Sequence, residues 1–244
     1  MKKRLDQLLI DQGLADSPAK AQAVVLAGLV YVNGQKADKS GVAYPEEATI
    51  ELKGAPHPYV GRGGLKLAGA LDHFQIDVTG RTALDVGAST GGFTDCLLQR
   101  GAAKVFAVDV GYGQLAWKLR QDPRVVTLER ENIRDLAPEK LEPGPLPNLA
   151  VIDVSFISLG KVLPAVYNLL AERAEVVALI KPQFEARREQ VGAGGIVRDE
   201  AVRQEVVARV KMEAEAIGFK AKGVINSPIE GADGNVEFLI HLEK

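Results

Sequence analysis

Beyond about residue 80 the chain alternates short apolar runs with segments in which apolar residues recur at helical spacing. The apolar runs predict strands at residues 82–86, 104–109, 124–128, 149–153, 175–180, 222–227 and 235–241. This alternation is typical of an α/β domain with a doubly wound, mostly parallel sheet. The last two runs flank a turn-rich segment, Ser227 to Gly234, so they predict a hairpin that closes one edge with an antiparallel last strand.

The first 53 residues follow a different pattern, which predicts a small α+β domain. The spacing of their leucines predicts a first helix, and Ser17-Pro18 begins a second helix that runs through Ala27. Strands are predicted at residues 29–32 and 48–52, and Asn33-Gly34 predicts a tight turn after the first of them.

Residues 54–60 are turn-rich and lack periodicity, so they predict a linker between a domain at residues 1–53 and a domain at residues 61–244. With 244 residues, of which 46% are hydrophobic and 25% charged, the chain is long enough for one full domain and a smaller one. The segment from Gln183 to Arg198 is long, glycine-bearing and basic, and it predicts a functional loop.

Composition narrows the classes of function. No apolar run approaches the ~18 residues that a membrane span requires, and we expect no membrane partner. One cysteine excludes an intramolecular disulfide, and three scattered histidines predict no metal site, so cytoplasmic residence is the default. A net charge of −2 exerts no bulk attraction on nucleic acid, and an RNA partner would therefore need a local basic patch.

The segment Asp85 to Phe93 joins a predicted strand to a predicted helix through glycines. Such a layout presents backbone N–H groups to a ligand. Asp109 ends the next predicted strand, roughly 20 residues further along the sequence. At that spacing nucleoside-binding α/β folds carry a carboxylate that binds a ribose hydroxyl. Phe93 stands where a phosphate loop needs lysine, and Ser89 stands where the dinucleotide motif needs glycine.

The pattern therefore favours a ligand with a ribose and a cationic end, such as S-adenosylmethionine. We expect Asp85 beside the methionine end of that ligand. The predicted cofactor residues are Asp85, Gly87, Ala88, Ser89, Gly91, Gly92, Phe93, Asp109 and Asn132.

Charged residues occur where buried strands should be apolar. Asp153 and Lys181 each follow an apolar run, and Glu237 lies within one. Lys66 lies in the helix before the first strand, among apolar residues. Because the carboxyl ends of the strands share one crevice in an open α/β sheet, Asp153 and Lys181 should converge beside the cofactor, within reach of Glu237.

Five motifs in this order resemble the haemolysin-like TlyA family, and the resemblance covers essentially the whole chain. The motifs are Gly61 to Lys66, Asp85 to Phe93, Asp153 to Phe156, Lys181 to Phe184 and Asn235 to Glu237. The resemblance implies an S4-like RNA-binding domain followed by a Rossmann-like, FtsJ-like methyltransferase domain. It also implies a catalytic tetrad of Lys66, Asp153, Lys181 and Glu237. The implied activity is methyl transfer from S-adenosylmethionine to a ribose 2′-hydroxyl of ribosomal RNA, with cytidine as the typical target.

The S4-like resemblance directs attention to basic residues that could meet RNA phosphates. Pro18 departs from that module, which usually carries a basic residue after the serine. The predicted RNA contacts are Lys2, Lys3, Arg4, Lys20, Arg62, Arg187 and Arg188, with Lys36 and Lys39 as further candidates in the first domain. The expected partner is ribosomal RNA or a ribosomal subunit.

The chemistry of the tetrad can be argued from its residue types. A ribose hydroxyl is a poor nucleophile until a base removes its proton. Lys181 is the predicted base, and it must be able to give up its own proton near neutral pH. Lys66 would disfavour the protonated form of Lys181 through like-charge repulsion, and it could also hold the substrate ribose or phosphate. Asp153 and Glu237 would orient the two ammonium groups. We expect alignment of the hydroxyl with the methyl group to contribute more to the rate than the proton transfer does.

Three alternatives remain open at this point. The first is methylation of another acceptor, although Asp153-Val-Ser-Phe156 stands where a base-methylating enzyme carries an Asn-Pro-Pro-Tyr-like motif. The second is a membrane-active haemolysin or cytolysin, and the third is an RNA-binding protein without catalysis. The target nucleotide, the ribosomal subunit and the oligomeric state are not determined by the sequence.

Overall fold

The computed structural model describes residues 2–26, 28–52, 57–231 and 234–244. The chain divides into two compact units, one ending at Arg62 and the other beginning at Gly63. The predicted linker at 54–60 begins outside the described residues, so its extent stays a prediction. Ala27, the predicted end of the second helix, also lies outside them.

The first unit combines two helices with short antiparallel strands. Its described elements are β1 (Lys2–Arg4), α1 (Leu5–Asp11), α2 (Pro18–Leu26), β2 (Val30–Val32), β3 (Gln35–Lys36), β4 (Ala43–Pro45) and β5 (Ile50–Leu52). Strand β1 pairs with β4, while β3, β2 and β5 form a three-stranded sheet in that order. Leu5, Leu8 and Leu9 pack into the core between the helices and the sheet, as their spacing predicts.

Local chemistry explains where these elements turn. Asn33 and Gly34 both have positive φ, 51° and 78°, which is the backbone of a tight hairpin turn between β2 and β3. Sequence patterning did not indicate β1 and β4. Strand β1 consists of three basic residues, so it lacks the apolar pattern typical of a strand. Backbone hydrogen bonding to β4 holds it in the extended conformation.

The second unit carries the large sheet. Its helices are α3 (Gly63–Phe74), α4 (Gly92–Gln99), α5 (Trp117–Arg120), α6 (Leu163–Leu169), α7 (Pro182–Glu185) and α8 (Glu200–Ile217). Its strands are β6 (Thr82–Val86), β7 (Lys104–Asp109), β8 (Val125–Glu129), β9 (Leu149–Ile152), β10 (Glu175–Ile180), β11 (Lys220–Asn226) and β12 (Phe238–Glu243).

The sheet has the order β11-β12-β10-β9-β6-β7-β8. Strands β6 to β10 are parallel, and β12 runs antiparallel to both β10 and β11. The doubly wound fold with an antiparallel last strand is therefore confirmed. The predicted hairpin is present, with β12 inserted beside β10 and β11 forming the edge. All parallel strands end at one edge of the sheet, which we call the carboxyl edge.

Two predicted elements differ in detail. Glu237 was expected inside a strand but precedes β12, although its carbonyl oxygen accepts a hydrogen bond of 2.8 Å from the Ser227 amide and still closes the hairpin. The predicted loop at 183–198 contains most of α7 and two short 3₁₀ turns, at residues 188–190 and 193–195. Pro182 at the first position of α7 favours this extra helical turn.

Candidate active site

A cavity of about 490 Å³ lies at the carboxyl edge, where β6, β7 and β9 end. This volume falls within the range of about 300–1,000 Å³ that is usual for small-molecule sites. Its polar lining comes mainly from predicted site residues or their neighbours: Ser89, Asp109, Gln114, Glu131, Asn132, Arg134, Asp153 and Ser155.

The turn after β6 is shaped by glycine. Gly87 has a φ of +84°, and a Cβ atom there would lie 2.5 Å from the carbonyl oxygen of Asp153. The amides of Gly87 and Ala88 both donate to the carbonyl of Val108, at 2.9 and 3.1 Å. Any side chain at position 87 would therefore force the ends of β6 and β9 apart.

Asp109 is held in place at the end of β7. One carboxylate oxygen accepts the Ser89 amide and the other accepts the Gly111 amide, each at 2.7 Å. A carboxylate offers about four acceptor positions, so two backbone hydrogen bonds leave capacity for ribose hydroxyls. Asn132, also in the cavity wall, accepts a hydrogen bond of 3.2 Å from the Arg134 amide through its side chain.

Asp85 is placed differently from the expectation. Its carboxylate is fully buried, accepts a hydrogen bond of 2.6 Å from the Thr94 hydroxyl, and is not part of the cavity wall. Burial raises the pKa of Asp85 to about 7; the nearby Asp153 adds to this rise, and the hydrogen bond from Thr94 opposes it. Asp85 thus lies beneath the glycine turn, where its charge can act on a ligand only through the intervening backbone.

Four other predicted cofactor residues also lie behind the cavity wall. Gly91, with a φ of +97°, is the N-cap of α4, and Gly92 and Phe93 form the buried start of that helix. Ala88 is buried in the turn itself. These residues shape the backbone of the site, whereas Gly87, Ser89, Asp109 and Asn132 line it.

The four predicted tetrad residues form two ion pairs. The Lys181 ammonium lies 2.6 Å from a carboxylate oxygen of Asp153 and donates a hydrogen bond of 2.9 Å to the Ser155 hydroxyl. Lys66 pairs with Glu237, and both are almost completely buried, at 6% and 3% exposure. A buried ion pair is costly to desolvate and is weak evidence for stability alone, which favours a functional role for this one.

Strand register explains how these residues meet. Ile180 is paired with Phe238 in the antiparallel register, so Lys181 and Glu237 extend that register by one step at the carboxyl edge. Asp153 follows β9, the parallel neighbour of β10. Gly63, at the start of α3, lies against the Asp153 carboxylate, since a Cβ atom there would be 3.7 Å from it. The helix that carries Lys66 therefore begins at this edge.

Sequence reasoning did not single out an aromatic pair beside the cavity. Phe156 lines the cavity, has a φ of +63° and is 90% exposed. Its ring centroid lies 4.9 Å from that of Phe184. The available signal was a phenylalanine three residues after each charged strand end, Asp153 and Lys181. A bulky residue in the left-handed region is strained, and such strain is concentrated at functional sites.

Several predicted RNA contacts are already paired with carboxylates. Lys3 lies 3.0 Å from Asp11, Arg4 lies 2.6 Å from Asp6, and Lys20 pairs with Asp16. The Lys3 and Lys20 pairs are exposed and contribute little to stability, so RNA phosphates could replace their carboxylates, whereas Asp6 is buried and held by two hydrogen bonds from Arg4. Lys2, Arg62, Arg187 and Arg188 are exposed.

A separate polar group lies at the opposite end of the sheet. Glu175, His241 and Glu243 place possible ligand atoms within 4.8 Å of one another, a grouping that their distance in sequence concealed. Glu175 already pairs with Arg81 at 2.5 Å, and Glu243 pairs with Lys222 at 3.0 Å.

Among the described helices, none has the length and hydropathy needed to cross a membrane.

Comparison with protein families identifies both units. The model of the S4 domain matches residues 3–50, and the model of FtsJ-like methyltransferases matches residues 59–244. The chain is 47% identical over 240 residues to the 16S/23S rRNA (cytidine-2′-O)-methyltransferase TlyA of Mycobacterium tuberculosis, across 98% of this chain and 89% of the relative. It is 44% identical over 238 residues to Hemolysin A of Brachyspira hyodysenteriae, across 98% of each.

Solved structures agree with these matches. A Streptococcus thermophilus protein provisionally named a hemolysin has a TM-score of 0.78 and 49% identity, covering 100% of this chain and 88% of that one. A Burkholderia thailandensis 1,6-didemethyltoxoflavin-N1-methyltransferase, solved with S-adenosylhomocysteine, has a TM-score of 0.52 and 16% identity over 75% of this chain and 77% of its own. The second likeness shows the fold alone.

The buried Asp85 predicts a pH-dependent stability. Its pKa is about 7 in the folded chain and about 3.9 when unfolded, so between these values the folded state holds a proton that the unfolded state has lost. Stability should therefore fall as pH rises from about 4 to 7, by at most roughly 4 kcal/mol from this group. In urea unfolding at pH 5 and pH 7.5, Asp85→Asn should lose this component, whereas the exposed control Asp135→Asn should keep it. An equal change in the free energy of unfolding between the two pH values in the wild type and both variants would contradict the assignment of this pKa to Asp85.

Proposed function

The chain belongs to the family of FtsJ-like methyltransferases, in the TlyA group that carries an N-terminal S4 domain, and we propose that it methylates ribosomal RNA. The methyl group would pass from S-adenosylmethionine to a ribose 2′-hydroxyl, with cytidine as the target nucleoside. The observation that carries this proposal is the Lys181–Asp153 ion pair, whose carboxylate residue lines the cavity of about 490 Å³. That geometry favours methyl transfer over the membrane-active alternative.

The cavity fits the proposed cofactor. Gly87 lines the cavity, and Asp109 keeps acceptor positions for ribose hydroxyls. Asn132 and Ser89 add polar groups to the same wall. When bound, S-adenosylmethionine supplies an electrophilic methyl group on a sulfonium. Acidic groups around the cavity suit a ligand with cationic ends.

Lys181 is the proposed base for the 2′-hydroxyl. Asp153 and Ser155 hold its amine at 2.6 and 2.9 Å, so the nitrogen is fixed in direction as well as in place. Once the Lys181 ammonium has released a proton to solvent, the neutral amine can accept the hydroxyl proton, which raises the nucleophilicity of the ribose oxygen. Holding that oxygen in line with the methyl group adds a further acceleration, because the reacting atoms no longer search for alignment.

Lys66 and Glu237 have a supporting role in this proposal. Their buried ion pair connects α3 to Glu237, the residue that immediately precedes β12. The lysine places a positive charge near the carboxyl edge, and the Glu237 carboxylate neutralises it. An intact pair is needed because either residue alone would be an uncompensated buried charge.

The Phe156 and Phe184 rings can receive the base of the target nucleotide. An enzyme acting on one nucleotide of structured RNA must remove that nucleotide from its stack, and an aromatic surface recovers part of the lost stacking energy. Phe156 is exposed and already held over Phe184, 4.9 Å between centroids. Stacking accepts every base, so it positions the nucleotide without selecting cytidine.

The S4 domain is the proposed RNA-holding module. Its candidate contacts are Lys2, Lys3, Arg4 and Lys20. Lys3 and Lys20 would exchange their exposed carboxylate partners for RNA phosphates, and the exposed Arg4 guanidinium would bind phosphate while it keeps its pair with the buried Asp6. Arg62, Arg187 and Arg188 are exposed and available to the same RNA. This exchange predicts binding that weakens steeply as salt rises, since each phosphate contact releases a counterion.

The direct test of the function is methylation of defined RNA. The purified protein is incubated with methyl-labelled S-adenosylmethionine and with unmethylated bacterial 16S and 23S rRNA, each free and within its ribosomal subunit. We expect label at a cytidine 2′-oxygen, identified by mass spectrometry of nuclease fragments. Label on a base, or none on any of the four substrates, would contradict the proposal.

Asp109→Ala should weaken S-adenosylmethionine binding. The variant removes a charge-assisted acceptor, a loss of about 1.5–3 kcal/mol, which corresponds to a roughly ten- to hundredfold higher Kd. The Ser89 and Gly111 amides also lose their partner. Asp109→Asn keeps one acceptor oxygen, so its Kd in titration calorimetry should lie between those of the wild type and of Asp109→Ala. Unchanged affinity in the alanine variant would remove Asp109 from the cofactor site.

Lys181→Ala should abolish methyl transfer while S-adenosylmethionine binding stays close to wild type, because the proposed base acts on the acceptor. Lys181→Arg should fail as well, since a guanidinium stays protonated at working pH. The matched control is Lys161→Ala, which replaces an exposed lysine. Single-turnover methylation assays measure the chemical step in all three. An active arginine variant would mean that the residue holds charge in place and is not the base.

A further inference from the structure

Two large aromatic side chains are exposed just after β7. Tyr112 is 68% exposed and Trp117, the first residue of α5, is 71% exposed. Neither is part of the cofactor cavity wall, although Val110 from the same segment is. Exposed aromatics of this size next to a functional site indicate a surface that meets another molecule.

The segment is braced in the absence of any partner. The Glu129 carboxylate accepts the Gly113 amide at 2.9 Å and pairs with Arg120 of α5. It thus ties the Tyr112 loop and the Trp117 helix to the end of β8. Rings presented on a braced segment lose little conformational freedom when they bind.

Arg130 joins this surface in an unusual conformation. It follows β8 with a φ of +58°, and its amide donates to the Gly111 carbonyl at 3.0 Å. Its guanidinium lies 4.2 Å from the centre of the Tyr112 ring. A stacked arginine keeps its donors free at the edges, an arrangement suited to a phosphate beside a stacked base.

The charge of this surface is positive. In the described part of the chain, Arg130 and Arg134 have no carboxylate within 4.0 Å, whereas Glu129 and Glu131 are neutralised by Arg120 and Lys140. This differs from Lys3, Arg4 and Lys20 of the S4 domain, whose charges are already paired. The two unpaired arginines are therefore better placed to attract a polyanion without prior rearrangement.

The position along the sheet separates this surface from the methyl-transfer site. Arg130 follows β8, which lies four strands from β10, the strand that precedes Lys181. At about 4.8 Å per strand the separation is roughly 19 Å, with the cofactor cavity between. A single nucleotide cannot occupy both places, so an RNA that reaches both must contact them with different nucleotides.

We propose that Tyr112, Trp117 and Arg130 form a second RNA-contact surface on the catalytic unit, with Arg134, which also lines the cofactor cavity, at its inner border. It stacks an unpaired base and neutralises phosphates in the segment that flanks the target nucleotide. This proposal rests on the proposed function, because it takes the same RNA as the partner. Aromatic rings combined with unpaired arginines match single-stranded RNA better than they match an apolar protein surface.

The test measures RNA affinity without requiring catalysis. Full-length protein saturated with S-adenosylhomocysteine is titrated with 16S and 23S rRNA transcripts in filter-binding assays at several salt concentrations. Tyr112→Ala and Arg130→Ala should each raise the Kd roughly ten- to hundredfold on the bound transcript. Arg130→Ala should also lower the salt slope by about 0.7–0.9, the loss of one phosphate contact. Tyr112→Phe, which keeps the ring, should bind like wild type.

Matched controls come from other exposed positions. Arg173→Ala removes an exposed arginine just before β10, at the opposite edge, and Met212→Ala removes an exposed apolar side chain from α8; neither should alter the Kd. Unchanged RNA affinity in the Tyr112 and Arg130 variants would overturn the proposal. So would an equal loss of S-adenosylmethionine affinity, which would make the segment a cofactor cap. Absence of methylation by the wild-type protein would instead count against the proposed function, since the binding assay is independent of it.

Discussion

The close approach between the turn after β6 and the backbone of Asp153 is the constraint on which the site depends. A Cβ atom at Gly87 would lie 2.5 Å from the Asp153 carbonyl oxygen, and the Asp153 amide donates to the Val86 carbonyl at 2.9 Å. The wall of the cofactor cavity and the residue that holds Lys181 are therefore parts of one packed backbone. A change in either turn moves the other, so the geometry of the proposed cofactor site and that of the proposed base are coupled by sterics.

Electrostatics follow from the same packing. Asp85 lies beneath the turn, and Asp153 and Asp109 both raise its pKa beyond what burial alone does. Burial together with these two carboxylates leaves Asp85 about half protonated near neutral pH. The two lysine–carboxylate pairs at the adjoining strand ends keep the remaining charges balanced. The edge can thus hold several ionisable groups in a small volume without a large net charge.

Sequence patterning predicts the parts of this structure that arise from local chemistry. The strand periodicity, the Asn33-Gly34 turn and the position of Asp109 depend on neighbouring residues, and the structure agrees with them. The sequence placed Asp85 beside the methionine end of the ligand; the structure buries it within β6 behind the cavity wall, because the packing of the sheet decides which face of a strand a side chain occupies. The left-handed backbone of Phe156 was missed because nothing local requires it. The carboxylate pairing of Lys3 depends on which residues the folded module brings beside it.

The antiparallel strand β12 explains how a residue from the end of the chain reaches a site built by parallel strands. In a parallel sheet only the residues that follow a strand lie at the carboxyl edge, whereas an antiparallel strand begins there. Glu237 precedes β12 and is thereby placed beside the end of β10, where it meets Lys66. Lys66 in turn belongs to the helix whose start lies against Asp153. The antiparallel strand therefore connects α3, β12, β10 and β9 through successive contacts. Each proposed catalytic side chain is held by a different one of these four elements. Positions set by four separate elements cannot shift independently, which gives the precise alignment that attack by a weak nucleophile requires.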